Sequence, residues 1–199
     1  MSNSPRLFNF SGKTLDLSKS HVMGILNITP DSFSDGGELM SVNGGVDISK
    51  ILKRVEIMVK AGAAILDIGG ESTRPGAKEV SSPEEISRVM PVVEAISRNF
   101  DAIISVDTSN PELINLCQKS GVGLINDVRA LTRKGALEAV AESGLPVCLM
   151  HMQGSPDNMQ DAPKYKNVVE EVTVFLEDRV KACNGAGIGN DRILVDPGF

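Results

Sequence analysis

Apolar and polar positions along this chain alternate between two rhythms. Residues 21–27 are a short, mostly apolar run that ends at one polar side chain, Asn27. Similar runs recur at 64–69, 102–107, 123–126, 147–150 and 193–195, each giving way to polar loop residues. A continuous apolar run bounded by turn residues is the pattern of a strand buried on both faces. Between the runs the period becomes helical. Ile48, Ile51, Leu52, Val55, Met58 and Val59 fall on one face, and Gly62 ends the pattern. Ser82-Pro83-Glu84-Glu85 reads as a capping box opening a helix through Ile86, Val89, Val93 and Ile96, with a kink expected at Pro91. Asn110-Pro111 opens a third helix, which Gly121 closes, and a fourth runs from about 134 to 143. Val168, Val172, Phe175, Leu176 and Val180 mark a fifth that ends near Asn184-Gly185. Ahead of these, 6–10 and 14–17 flank Ser11-Gly12-Lys13 and predict a β-hairpin.

Strands and helices in strict alternation imply right-handed parallel βα units. Two architectures satisfy that, a doubly wound sheet and a TIM barrel. The polar tips are Asn27, Asp67, Asp107, Asn126, His151 and Asp196, one for every strand. A doubly wound sheet gathers its ligand contacts at one switch point, so tips on every strand favour the barrel. No GxGxxG follows the first strand. A complete barrel takes about 250 residues. The pattern therefore predicts one domain over 1–199, with a hairpin at 1–20 and six strands over 21–199, lacking about the last two βα units. Its first and sixth strands would be open edges. Two loops, 28–46 and 70–81, are far longer than usual βα connections and are the places to expect function.

Composition narrows the classes. With 41% hydrophobic residues in 199, the chain can bury a sizeable core, and with 4% aromatics and no Trp that core is aliphatic. A net charge of −6 without a basic block argues against nucleic acid as a partner. No apolar run approaches the roughly 20 residues of a membrane span, and no secretory-type leader is visible. Cys117, Cys148 and Cys183 lie far apart, as reduced thiols of a cytoplasmic protein do, and Cys148 within its strand reads as core. His151 and His21 have no metal-site spacing. Glu71 is equally readable as a catalytic group and as a structural bond across the strand tips.

Three stretches then stand out together. Asn27-Ile28-Thr29-Pro30-Asp31-Ser32-Phe33-Ser34-Asp35-Gly36-Gly37 follows the first strand, and Asp67-Ile68-Gly69-Gly70-Glu71-Ser72-Thr73-Arg74-Pro75-Gly76 follows the second. Val106-Asp107-Thr108, Ile125-Asn126-Asp127-Val128 and Val195-Asp196-Pro197-Gly198 end the third, fourth and sixth. From about residue 6 onward the chain resembles the bacterial dihydropteroate synthase family of folate biosynthesis. The resemblance implies a pterin-binding TIM barrel, a transferase with Mg²⁺ present and a sulfonamide target. It would join p-aminobenzoate to 6-hydroxymethyl-7,8-dihydropterin pyrophosphate, giving 7,8-dihydropteroate and pyrophosphate.

The same resemblance assigns residues. Asp107, Asn126 and Asp196 would pair with the N–H-rich pterin edge, with Val128 and Met150 as apolar walls. Asn27 would meet the metal or pyrophosphate. Thr73 and Arg74 would support the leaving group, and Asp31 a pterin cation formed once the bond to pyrophosphate breaks. Phe33 and Pro75 would wall the p-aminobenzoate slot. The attacking amine is largely unprotonated at neutral pH, so no strong general base is required. The family's later Lys, Ser-Arg-Lys segment, Arg and His fall beyond residue 199, so a shortened copy is expected. A homodimer is implied for the longer protein. Two other readings stay open: a catalytically inactive pterin-binding fragment, and a methyltetrahydrofolate-type methyltransferase domain. The run Ser72-Thr73-Arg74-Pro75-Gly76 favours the synthase over the latter.

Overall fold

In the computed structural model, residues 6–29, 45–71, 80–154 and 163–198 are described. The chain opens with an antiparallel hairpin, β1 (Leu7–Phe10) and β2 (Lys13–Asp16). It turns through Ser11 and Gly12, both at positive φ. Then strands and helices alternate: β3 (Val22–Asn27), α1 (Ile48–Lys60), β4 (Ala63–Gly69), α2 (Ser82–Asn99), β5 (Ile103–Asp107), α3 (Pro111–Cys117), β6 (Val122–Asp127), α4 (Ala136–Ser143), β7 (Val147–Met150), α5 (Val168–Gly185) and β8 (Ile193–Asp196).

The sheet order β3-β4-β5-β6-β7-β8 is sequential, and every neighbouring pair is parallel. A doubly wound sheet would reverse its order at a switch point; this one does not, which is barrel order. The two faces of the sheet bury different things. Leu26, Leu66, Ile68, Ile104, Val106, Ile125, Val147 and Leu149 face the helices and form one large core with Ile51, Val55, Val89, Val93, Leu113 and Val140. On the other face Ile65, Ile103 and Leu124 pack against Phe8 and Phe10 of the hairpin. Alternation along each strand is what separates the two sets.

The hairpin therefore plugs the interior from below, at the N-terminal ends of the strands. Phe10 is 1% exposed. Gly123 lets it approach: a Cβ there would lie 3.0 Å from the Phe10 carbonyl oxygen. Lys13 Nζ holds the same end, donating to Ala102 O at 2.8 Å. With the floor occupied, only the C-terminal end of the interior is left for polar side chains.

Some local expectations change. Ser82 does not cap α2. The N-cap is Ser81, without a side-chain hydrogen bond, and Ser82 Oγ donates to Glu112 Oε2 at 2.6 Å instead. Glu85, the presumed reciprocal partner, turns away from its own helix end toward Thr108 and Asn110. A buried site for the carboxylate outcompetes the local cap. Helix α2 carries Pro91 within its span, Ser82–Asn99. Helix α4 starts at Ala136, two residues later than its pattern suggests, because Gly135 adopts φ 88° as the N-cap.

Candidate functional site

The C-terminal ends of the strands place the polar side chains by register. Asn27 pairs with Gly69, Gly69 with Asp107, Asp107 with Asn126, and Asn126 with Cys148. Residues opposite one another on neighbouring strands share a face, so Asp107 and Asn126 stand side by side on the inner face. Gly69 leaves the gap between Asn27 and Asp107. A Cβ there would lie 3.2 Å from Asn27 Oδ1 and 3.6 Å from Asp107 Oδ2.

One layer deeper, Asp67 pairs with Ser105. Asp67 is not a strand tip, since β4 runs two residues further to Gly69. Its side chain points into the interior, 5% exposed, and accepts Asn126 Nδ2 on Oδ2 at 3.1 Å. Ser105 lies close enough to lower the Asp67 pKa. Yet Asp67 Oδ1 and Ser105 Oγ form no hydrogen bond of acceptable geometry, and both are buried without a partner among the described residues. Buried polar groups without partners are rare, which sets this layer apart from the rest of the interior.

Electrostatics mark the same place. Burial pushes the Asp67 carboxyl up, against the lowering influence of the nearby Ser105 hydroxyl and of the Asn126 amide. Asp107 is raised well above the usual carboxylate range, first by burial, then by the charges of Asp67, Asp127, Glu71 and Glu85. Among the described residues no donor hydrogen-bonds its carboxylate. Cys148 shares this face, and burial, with Asp196 and Asp67 nearby, pushes its thiol up to about 12. It is a neutral thiol at physiological pH and no nucleophile. Asp196 pairs with Met150 across β7–β8 and accepts Gly198 N at 2.8 Å. Its influence on Cys148, shared with Asp67, ties β8 to the same interior.

Further bonds cross the loops beyond the tips. Asp127 is buried and accepts the Ser109 hydroxyl, Arg129 N at 2.9 Å and Leu131 N at 2.8 Å. Arg129 donates to Glu71 Oε2 at 3.0 Å and to Ser109 Oγ at 3.1 Å. Glu85 accepts Thr108 Oγ1 at 2.6 Å and Asn110 Nδ2 at 3.0 Å, and burial raises its pKa. Arg88 holds the Gly70 carbonyl at 2.9 Å.

The structure thus brings Asp107 and Asn126 together, with Asp196 at the β8 end of the same interior. Val128 is buried, and Met150 is half-buried. Met150 and His151 also line a cavity of about 660 Å³ that Tyr165, Val172 and Pro197 help enclose. Asn27 is exposed at the opposite sheet edge. Asp31, Phe33, Thr73, Arg74 and Pro75 lie outside the described residues. His151 is 7% exposed and packs edge-on against Phe175, in the wall of that cavity. Glu71 has the structural bond across the strand tips that was one of its two readings. Sequence reasoning passed over Ser105 and Arg129 and misplaced Asp67. Strand parity was the available signal: Ser105 precedes Asp107, and Asp67 precedes Gly69, by two residues each.

No group of three or more His, Cys, Asp or Glu among the described residues could hold a metal ion. No described helix is long and apolar enough to cross a membrane.

Comparison with known proteins identifies the family. The family model for pterin binding enzymes matches residues 23–199. The dihydropteroate synthase of Escherichia coli K12 is 56% identical over 188 residues, covering 94% of this chain. That of Haemophilus influenzae is 50% identical over 189 residues, covering 95% of this chain and 66% of the relative. The crystal structure of Yersinia pestis dihydropteroate synthase with a sulfonamide drug complex superposes with a TM-score of 0.89 at 50% identity, over 97% of this chain and 68% of that one. Xanthomonas albilineans dihydropteroate synthase with 4-aminobenzoic acid gives 0.85 at 44% identity, over 98% and 67%. This chain spans 64% of the length of the E. coli relative.

Proposed function

The chain belongs to the pterin binding enzyme family, and we propose that its strand-tip layer holds the amide and amino edge of a reduced pterin as part of a dihydropteroate synthase. One observation carries this. Asp107 and Asn126 stand side by side in register, over a buried Asp67–Ser105 layer with two polar atoms lacking partners. A flat ligand whose edge carries several N–H donors matches the acceptors that Asp107 and Asn126 present above that layer. Asp107 takes N–H donors, and Asn126, oriented by Asp67, reads the adjoining position. Val128 and Met150 face the ring, and Asp196 closes the β8 side.

The reaction assigned to the longer protein forms a C–N bond between the amine of p-aminobenzoate and the exocyclic carbon of the pterin. The C–O bond to pyrophosphate breaks, and the amine nitrogen gives up a proton. No described residue is set as a strong base at that carbon, and an aromatic amine needs none. This chain's residues bind and orient the pterin, and the floor sealed by Phe8 and Phe10 keeps water from beneath the ring. Asn27 would hold Mg²⁺ at the rim, where the ion would offset charge on the leaving pyrophosphate. Asp31, Thr73 and Arg74 are assigned to the reacting end, and Phe33 and Pro75 to the p-aminobenzoate slot, by resemblance. The longer protein would act as a cytoplasmic homodimer.

Specificity tests the reading. A site built to pair with a substrate's N–H groups discriminates sharply against an analogue that lacks them. Lumazine, which carries oxygen where pterin carries its 2-amino group, should bind at least ~100-fold more weakly than pterin by that principle. Equal affinities for the two in calorimetry would overturn the proposal.

A further inference from the structure

The end of β6 reaches three different places. Asn126 holds Asp67 inside β4, Asp127 holds Ser109 after β5, and Arg129 crosses β5 to Glu71 after β4. The Arg129 guanidinium is braced on both sides of that crossing. Nη1 donates to Ser109 Oγ at 3.1 Å and Glu71 Oε2 at 3.0 Å, and Nη2 to Glu71 Oε1 at 3.3 Å. Both partners are largely out of water, with side chains 21% and 14% exposed.

The turn presenting Arg129 is costly to hold. Ala130 and Leu131 adopt φ 48° and 58°, left-handed conformations that side chains with a Cβ rarely take. Two elements hold it there. Asp127 accepts Arg129 N and Leu131 N from within. From α5, Arg179 donates Nε to Ala130 O at 2.7 Å and Nη2 to Leu131 O at 3.2 Å. Strain retained by surrounding bonds is found where a side chain must be aimed. Here the side chain is a cation whose charge is felt with Glu71, Asp127 and Asp107, while Arg133 is the cation that acts on Glu85.

We propose that Arg129 is a positioning residue of the pterin site: clamped by Glu71 and Ser109 across the tips of β4, β5 and β6, it fixes the spacing of Asp67, Asp107 and Asn126 against the ligand's edge. The proposal rests on the pterin reading above. Arg129 acts through these neighbours and does not itself reach the ring.

The test is calorimetric titration of 6-hydroxymethylpterin into the wild-type chain, Arg129→Ala, Arg129→Lys, Glu71→Gln and the Glu71→Gln/Arg129→Ala double variant, at a temperature where melting curves show each folded. Arg129→Ala is expected to weaken binding about tenfold, the size of coupling seen within one network. Glu71→Gln should weaken it comparably, and the double variant no further than the worse single. Lys at 129, keeping the charge but losing the fork, should recover part of the loss. A purely structural role would lower the melting temperature and leave the affinity of the folded fraction unchanged, which would overturn the proposal. Independent, multiplying losses from the two single changes would overturn it too. Should Arg129→Ala fail to fold, Arg129→Lys and Glu71→Gln decide between the same outcomes. A wild-type chain that does not take up the pterin overturns the functional reading and this proposal with it. Wild-type binding with unaffected variants overturns this proposal alone.

Discussion

Asp107 carries an internal conflict. Burial and four neighbouring carboxylates raise its pKa well above its usual 3.8, so ionising it costs more in the folded chain than in the unfolded one. A raised folded-state pKa contributes stability that is fully present below the unfolded value and is lost as pH rises through the folded one. Asn at 107 is neutral at every pH and escapes that loss. Asp107→Asn should therefore match wild-type stability near pH 4 and exceed it increasingly toward pH 8, in melting temperatures measured across the range. A difference that shrank with rising pH would contradict the assignment. This residue and Asn126 were legible in the sequence, because each ends an apolar run in a recognisable motif. Ser105 was not, because a single hydroxyl inside a strand has no local mark. Only its parity with Asp107 and its register against Asp67 give it a place.

At the scale of elements, the hairpin shows what a local pattern can and cannot reveal. Alternation around Ser11-Gly12-Lys13 predicts two paired strands, and β1 and β2 are there. Nothing local says that Phe8 and Phe10 plug the inner face against Ile65, Ile103 and Leu124. That destination depends on Gly123, more than a hundred residues away in the chain. Phe10→Ala should cost about 3–5 kcal/mol in denaturant unfolding, as large-to-small changes of buried aromatics do. Leu7, 68% exposed on the same strand, should change stability by no more than about 0.5 kcal/mol when replaced by Ala. Equal effects at the two positions would mean that the plug does not bear on the core. The start of α2 teaches the complementary point. Ser82 through Glu85 has the letters of a capping box, but Glu85 serves Thr108 and Asn110 behind the strand tips. A long-range demand for a buried acceptor outweighs a local cap, and no short-range rule anticipates that.

For the molecule as a whole, sequential strand order separates the barrel from the doubly wound alternative, and the polar tip on nearly every strand had pointed the same way. Among the described residues β3 and β8 each pair on one side only. Val22 and Ile25 on β3 are 60% and 59% exposed, and Val195 on β8 is 52% exposed. Open apolar edges template association. The 199-residue chain should self-associate with concentration in sedimentation experiments, and Val195→Lys should reduce that. An unchanged association constant would place the contact elsewhere. By resemblance, the family's Lys for the pterin and its Arg and His for pyrophosphate would lie in the portion of relatives that this chain does not span. These residues alone are therefore expected to bind pterin while forming little dihydropteroate, and turnover near that of a full-length relative would refute the division of labour.

The most direct measurement is a calorimetric titration of 6-hydroxymethylpterin into the wild-type chain and into Asp107→Asn, side by side. The expected result is saturable one-to-one binding by the wild type, and loss of at least ~100-fold in the variant while its fold remains intact, as when a site's pairing to substrate N–H groups is removed. Equal binding by the two chains would contradict the claim that the strand-tip carboxylate reads the pterin edge.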